Sequence, residues 1–332
     1  MDLVLVGGYG PTGIVTFRRS ATGELTHAGT LPMESPSWLT RHPALPMLYA
    51  ANETADGALT TVRIEDSGTL TALDTVESGG ADPCHLAVTA DGRFLLCANY
   101  SSGSLAVFGL DGDGRITGRT DLVRHAGRGP VEGRQDSAHV HMAVPGTDEA
   151  GTIVSAVDLG TDEIRSYRLS PEGLLHEFAV STVPSGTGPR QLIRRPGTDL
   201  AYVVGELAGT LVTMREVRPG AFEVVAVTPS TKAADTTPNL VAHVELDGDR
   251  LYLSSRGPDC VTEFSLDPAA IAVIDHPSGA EPRHFALAGG MCFVAAQHDD
   301  ALTVFPLDGS GEPARYPTPR PSCVLLKGTF GA

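Results

Sequence analysis

The sequence predicts an all-β chain in which one four-stranded antiparallel unit repeats around a closed ring, and three observations carry that prediction. Short runs of Val, Leu, Ile, Ala and Tyr recur along the 332 residues between turn residues, with hardly a helix signal among them. The 38 glycines and 24 prolines are spread between these runs and do not pool in a linker, as tight turns joining many strands require. One opening then returns seven times: Pro36-Ser37-Trp38-Leu39, Asp82-Pro83-Cys84-His85-Leu86, Ser137-Ala138-His139-Val140-His141, Gly188-Pro189-Arg190-Gln191-Leu192, Pro238-Asn239-Leu240-Val241-Ala242-His243, Glu281-Pro282-Arg283-His284-Phe285 and Pro321-Ser322-Cys323-Val324-Leu325. A period of roughly 40 to 50 residues that contains only strands is the pattern of propeller blades. The expected fold is a seven-bladed β-propeller, with residues 1–332 as one domain.

Each opening starts a blade. In the fourth, residues 191–194 read as a short strand, Pro196 to Asp199 as a turn, and residues 200–204 as a β-branched and aromatic second strand bounded by Gly205. Equivalent second strands run from Leu48 to Asn52, Phe94 to Asn99, Ile153 to Asp158, Leu251 to Arg256 and Met291 to Gln297, each followed by a third strand and, in most copies, a more polar fourth. Asp91-Gly92, Asp111-Gly112 and Asp247-Gly248 supply hairpin turns. The seventh copy stops after its first strand near Leu326, while the N-terminus opens on a second-strand pattern at Leu3 to Gly8. The two ends are therefore expected to complete one blade together, which removes exposed sheet edges. A closed ring also makes a monomer the expected state.

Composition excludes several partners. A formal net charge of −16 argues against nucleic acid and against an anionic membrane surface, since both need a basic patch. No apolar run is long enough for a transmembrane helix and the N-terminus lacks a basic leader, so the expected location is cytoplasmic. Cys84, Cys97, Cys260, Cys292 and Cys323 are scattered and odd in number, which reads as reduced core thiols rather than disulfides or a metal cluster. Neither a metal nor another cofactor is expected. Asp111-Gly112-Asp113-Gly114 begins like a calcium loop, but Leu122 stands where that loop needs its last carboxylate.

Hairpin geometry selects the chemistry. In an antiparallel pair the start of the first strand and the end of the second share one edge, so all seven blades present these corners at one rim. The strand openings contribute His85, His139, His141, Arg190, His243, Arg283 and His284; the strand closings contribute Asn52, Glu53, Asn99, Tyr100, Asp158, Glu206, Arg256, Gln297 and His298. The opposite rim offers ordinary turn residues. Converging around an axis, the first set would line a funnel suited to a small ligand.

Within that funnel, Arg190, Arg256 and Arg283 suit a carboxylate or phosphate through forked hydrogen bonds, or else tie blades together through Asp158 or Glu206. His139 and His141, two apart on a strand, point the same way; a metal pair, a proton-transfer role and a satisfied strand-end histidine are all open readings. Glu206, with arginines and histidines nearby, is the candidate base. The ligand expected from these residues is a small anion, a carboxylate or phosphate. No Gly-x-Ser-x-Gly elbow occurs, which argues against a serine nucleophile.

His139-Val140-His141, Val157 to Asp162, Gly188-Pro189-Arg190 with Gly205-Glu206-Leu207, Ser255-Arg256-Gly257 and Pro282-Arg283-His284-Phe285 together resemble the bacterial lactonase family, which holds propeller-type 6-phosphogluconolactonases and carboxymuconate-lactonising enzymes. The resemblance runs the whole length and departs at Gln191 and Gly205, beside the expected site. It implies a catalytic set of His139 (or His141), Arg190, Glu206 and Arg256, to which the rim geometry adds His85, His141, Asp158, His243, Arg283, His284 and Gln297 around the substrate. The activity it implies is opening of a sugar-acid lactone, most directly 6-phosphogluconolactone. Lactonisation of an unsaturated dicarboxylic acid and a non-catalytic ligand-binding propeller are the competing readings.

Overall fold

The computed structural model describes residues 2–20, 23–233, 238–267 and 269–327, and in them 28 strands form seven four-stranded antiparallel sheets. Counting blades from the first opening, blade one runs outward from Pro36–Arg41 through Met47–Asn52 and Ala58–Ile64 to Leu70–Glu77. The inner strands of blades two to six are Pro83–Val88, Val140–Asp148, Pro189–Arg194, Leu240–Asp247 and Pro282–Ala288. Blade seven combines Pro321–Lys327, innermost, with Asp2–Gly8, Ile14–Arg19 and Leu25–Leu31. Leu5 lies opposite Leu325 and Val6 opposite Val324, so the two ends of the repeat close the ring as the sequence predicts.

Packing follows the pattern of each strand. Second strands such as Met47–Asn52 and Phe94–Asn99 are buried at every position, because both faces meet a neighbouring blade. Leu96, Ala98 and Val107 of blade two, for example, share a core with Val154, Ala156 and Tyr167 of blade three. Outer strands such as Leu70–Glu77 keep a buried residue only here and there. Each fully buried aliphatic side chain contributes about 1.5–3 kcal/mol, so the stability of the ring resides between blades.

One repeated irregularity positions the site. In blade one Pro36 pairs with Asn52 and Trp38 with Ala51, which leaves Ser37 bulged out of the ladder. Cys84, His141, Arg190 and Arg283 are bulged in the same way in blades two, three, four and six, and Ser322 in blade seven. Blade five leaves out two residues, Ala242 and His243. A bulge re-aims its side chain and lets the next residue resume the alternation on the other side.

Ahead of five bulges the chain passes through the left-handed region, at Ser35, Asp82, Gly188, Glu281 and Arg320. The carbonyl of each accepts the N–H of the residue ending the facing second strand: Glu53, Tyr100, Glu206, Gln297 and Tyr9 respectively. This clamp sets a bulged side chain and a strand-end side chain next to each other at one mouth of the ring. At position 188 only glycine fits, because an added Cβ would stand 2.4 Å from Leu207 Cγ at a φ of 58°.

Candidate active site

At that mouth the seven inner strands enclose a cavity of about 210 Å³. The bulged residues Ser37, Cys84, His141, Arg190, Arg283 and Ser322 line it, with the strand-end residues Tyr9, Glu53, Tyr100 and Glu206 between them. Arg256 reaches in from the end of the second strand of blade five, Arg134 from the connection between blades two and three, and Trp38 forms part of the floor. Four arginines thus share one small space with two carboxyl groups.

Glu206 is the centre of the charge network and is only 3% exposed. Its Oε1 accepts from Arg134 at 2.6 Å, while Oε2 accepts from Arg190 at 2.8 Å and lies 3.1 Å from Arg256 NH2. Burial works to raise its pKa, yet Arg256, Arg190 and Arg134 together hold the carboxyl well below the usual carboxylate range. Arg190 is fixed further by donation from Nε to the Ala242 carbonyl at 2.6 Å, and Arg256 by donation from Nε to the Leu240 carbonyl at 3.1 Å. Both forks are therefore rigid, and the carboxylates beside them, Glu206, Glu53 and the edge residue Glu281, are outnumbered by the four arginines.

His141 completes this group. Its Nε2 stands 2.5 Å from Arg190 NH1, and because a guanidinium only donates, the imidazole is the acceptor there. Burial and Arg190 hold its pKa well below the usual histidine range, so the ring is neutral. The Cys84 thiol beside it is pushed well up by burial and is not a nucleophile at neutral pH. The five cysteines are all free.

Of the residues singled out from sequence, His141, Arg190, Glu206, Arg256 and Arg283 meet in this cavity. His139 does not line it: its ring stacks on Tyr100 at 4.4 Å, and its Nδ1 lies 3.0 Å from the Tyr100 carbonyl. The bulge decides between the two histidines, since it turns position 141 inward and leaves 139 on the approach to the strand. Asp158 is also outside, fully buried, with Oδ1 accepting from the His139 and Gly160 N–H groups and Oδ2 2.7 Å from His125 Nδ1. Gln297 sits in a single turn of 3-10 helix, Gln297–Asp299, and is not among the lining residues although its N–H is held by the Glu281 carbonyl close to Arg283.

His85, His243 and His284 lie below the floor, one residue past the mouth. His85 and His284 follow the bulged positions and His243 is the second residue of the two-residue bulge in blade five; all three point to the other side, where they pack around Trp38 at ring distances of 4.4 Å for His85, 6.2 Å for His243 and 5.1 Å for His284. His243 and His284 stack on each other at 3.6 Å. Burial drives the pKa of His85 and of His243 down to about 3, so both stay neutral. Beneath them a second channel of about 490 Å³ opens to the opposite face, walled mainly by apolar side chains such as Leu39, Ala87, Met142, Val144, Ala286 and Leu326.

Sequence reasoning did not find Arg134 or Tyr9, and it gathered Glu53 and Tyr100 at the funnel without giving either a role. Glu53 and Tyr100 stand on the predicted rim, and the signal that selects them is register: each is the residue after the second strand, as Glu206 is. Tyr9 holds the same position in the blade closed by the chain ends. Arg134 comes from an irregular connection whose sequence has no strand period, so only the folded chain reveals its reach.

Comparison with known proteins agrees with this geometry. The family model for lactonases with a seven-bladed β-propeller matches residues 3–326. A 6-phosphogluconolactonase of Bacillus subtilis is 31% identical over 87% of this chain and 86% of its own, and one of Yersinia enterocolitica is 29% identical over 92% and 91%. The solved structure of a periplasmic gluconolactonase from Pseudomonas aeruginosa superposes with a TM-score of 0.89 at 27% identity, covering 98% of this chain and 99% of that one. On these matches the chain belongs to the lactonase family of seven-bladed β-propellers and is a lactonase enzyme.

Proposed function

We propose that the chain hydrolyses an anionic sugar-acid lactone, 6-phosphogluconolactone to 6-phosphogluconate. One observation carries the reading: Arg134, Arg190, Arg256 and Arg283 converge in a cavity where the buried Glu206, with Glu281 at its edge 3.4 Å from Arg256 and 3.9 Å from Arg283, neutralises only part of their charge. A cavity so charged favours a substrate with a phosphate or carboxylate and an oxyanion that forms during reaction. Arg190 and Arg256 lie on adjacent blades with their forks fixed by backbone carbonyls, and they polarise the lactone carbonyl. Arg283, over the Tyr9 ring at 5.2 Å, and the part-exposed Arg134 hold the anionic substituent. His141 and Glu206 act by aligning Arg190. A cytoplasmic site of action belongs to the same reading, since five free thiols suit a reducing compartment.

The test is hydrolysis of freshly generated 6-phosphogluconolactone, corrected for spontaneous opening, beside the unphosphorylated gluconolactone. Wild type accelerates opening of the phosphorylated lactone, with kcat/KM at least about tenfold above the unphosphorylated one, the loss of one charged contact being worth ~1.4 kcal/mol or more. Arg256→Met lowers kcat/KM by about a hundred- to a thousandfold, as removal of an oxyanion partner does. Equal rates on both lactones would move the substrate to the unphosphorylated class, and no acceleration of either would sink the reading.

A further inference from the structure

The arginine clamp accounts for charge in the reaction but not for the proton that must leave water and reach the ring oxygen. We propose that Glu53 carries this proton, as a catalytic residue facing the clamp across the cavity. The proposal rests on the lactonase reading above.

Position is the first argument. Glu53 belongs to blade one and lines the cavity, while Arg190 and Arg256 belong to blades four and five, which stand opposite blade one in a ring of seven. A carbonyl held by those arginines turns one face of its carbon toward Glu53, where a water can bridge the two.

Freedom from arginine is the second. Of the two carboxylates lining the cavity, Glu206 spends both oxygens on three guanidinium groups. Glu53 forms no ion pair among the described residues; its carboxyl meets the hydroxyls of Tyr9, at 3.3 and 3.4 Å from its two oxygens, and of Ser37, and its own N–H donates to the Ser35 carbonyl. The other candidates are already engaged or inert: His141 Nε2 accepts from Arg190, and the Cys84 and Tyr9 protons are held tightly by burial. Burial also pushes the Glu53 carboxyl above its ordinary 4.5, against hydrogen bonding by Ser37 and the pull of Arg283 and Arg190, which makes the carboxylate a stronger proton acceptor.

The chemistry balances. Glu53 takes one proton from water as the water oxygen bonds to the carbonyl carbon, and the C=O electron pair moves onto the oxygen held by Arg190 and Arg256. Collapse of this tetrahedral species re-forms C=O and breaks the bond from carbon to the ring oxygen. The Glu53 carboxyl then returns its proton to that oxygen, which leaves as a hydroxyl, and the product carboxylic acid ionises into solvent. Water is consumed and Glu53 is restored.

The experiment measures kcat for wild type, Glu53→Gln and Glu53→Asp on 6-phosphogluconolactone across about pH 5 to 8, with affinity for 6-phosphogluconate by calorimetry. Glu53→Gln loses about a hundredfold or more in kcat while product affinity stays within about threefold. Wild-type kcat falls as pH drops through the Glu53 pKa, above 4.5, and this limb moves in Glu53→Asp. A Glu53→Gln chain that keeps kcat within about threefold of wild type overturns the proposal and leaves the lactonase reading intact. Should Glu53→Gln fail to bind product, the wild-type limb decides, and a profile flat over that range overturns it. A wild type that does not accelerate opening overturns the lactonase reading and the proposal with it.

Discussion

Glu206 and Glu245 sit on opposite sides of the Trp38 floor in adjacent blades, and the fold treats them in opposite ways. Glu206 lines the upper cavity, where three arginines hold it ionised. Glu245 lines the lower channel with no arginine on it; its Oε2 accepts the Leu287 N–H at 3.0 Å, and burial pushes its pKa up to about 8. Both are glutamates of strand ends or inner strands in the same repeat, so neither residue type nor blade position separates them. The bulge does, because it sends Arg190, Arg283 and His141 upward and leaves Met142, His284 and other downward positions to a channel of mostly apolar wall. A propeller thus builds two different ends from one repeat by displacing one residue in six inner strands and two in the seventh.

The largest effect should come from breaking the upper network. Glu206→Gln leaves Arg134, Arg190 and Arg256 crowded without their shared counter-charge, at a cost of about 3–5 kcal/mol in folding stability and about a hundredfold in kcat/KM. The pH response tests the cause. Glu206 has a folded pKa below its unfolded value of about 4.3, so its stabilisation is present above that pH and is lost as pH falls through the folded value. Thermal denaturation from about pH 6 down to 3 should therefore show Tm of wild type falling more steeply than that of the variant. Parallel curves would mean that Glu206 contributes shape and not charge.

Why was the ring legible in the sequence while the site was only partly so? The blades follow from alternation and turn chemistry, which are local, and the repeated Pro-x openings mark all but two inner strands. The common rim follows from hairpin geometry, and five of its residues, Arg190, Glu206, Arg256, Arg283 and His141, line one cavity. What alternation alone cannot give is the bulge, an extra residue that reverses the facing of its neighbour. Without it His85, His243 and His284 read as funnel residues beside Cys84 and Arg283, whereas they pack beneath the floor. Asp158 misleads for another reason: it ends a second strand, but the next position, not its own, turns to the mouth, so its carboxylate is consumed by backbone N–H groups and His125.

The lower channel supplies a smaller effect of opposite sign. Glu245 is protonated in the folded chain up to about pH 8 but ionises near 4.3 when unfolded, so the stability tied to its proton is full below that lower value and is lost as pH rises to about 8. Glu245→Gln removes this dependence while its side-chain oxygen still accepts from Leu287. The variant should gain Tm over wild type by a few degrees near neutral pH, about 2 to 4 °C for a 1 kcal/mol change, with a gap that narrows toward pH 5. Its kcat/KM should stay within about twofold of wild type, since Glu245 reaches the cavity above only through His243, 3.5 Å away, and the Trp38 floor on which that ring packs. A gain in Tm that is the same at every pH would assign the effect to packing and remove the contrast with Glu206.

The smallest change concerns His139, which touches the site only through Tyr100. Its ring stacks on the tyrosine at an interplanar angle of 15° and its Nδ1 meets the Tyr100 carbonyl, so it supports one wall of the cavity without facing the ligand. A stacked pair of this kind is worth about 0.5–1.5 kcal/mol, which bounds the loss in His139→Ala at roughly tenfold in kcat/KM. The loss should fall on KM, because Tyr100 would drift while Arg190, His141 and Glu206 keep their contacts. His141→Ala, by contrast, removes the acceptor that Arg190 faces and should reduce kcat as well. Equal kcat losses in the two variants would place His139 in the chemistry despite its position outside the cavity; a KM effect confined to His139→Ala would leave the bulge as the device that chooses between two histidines on one strand.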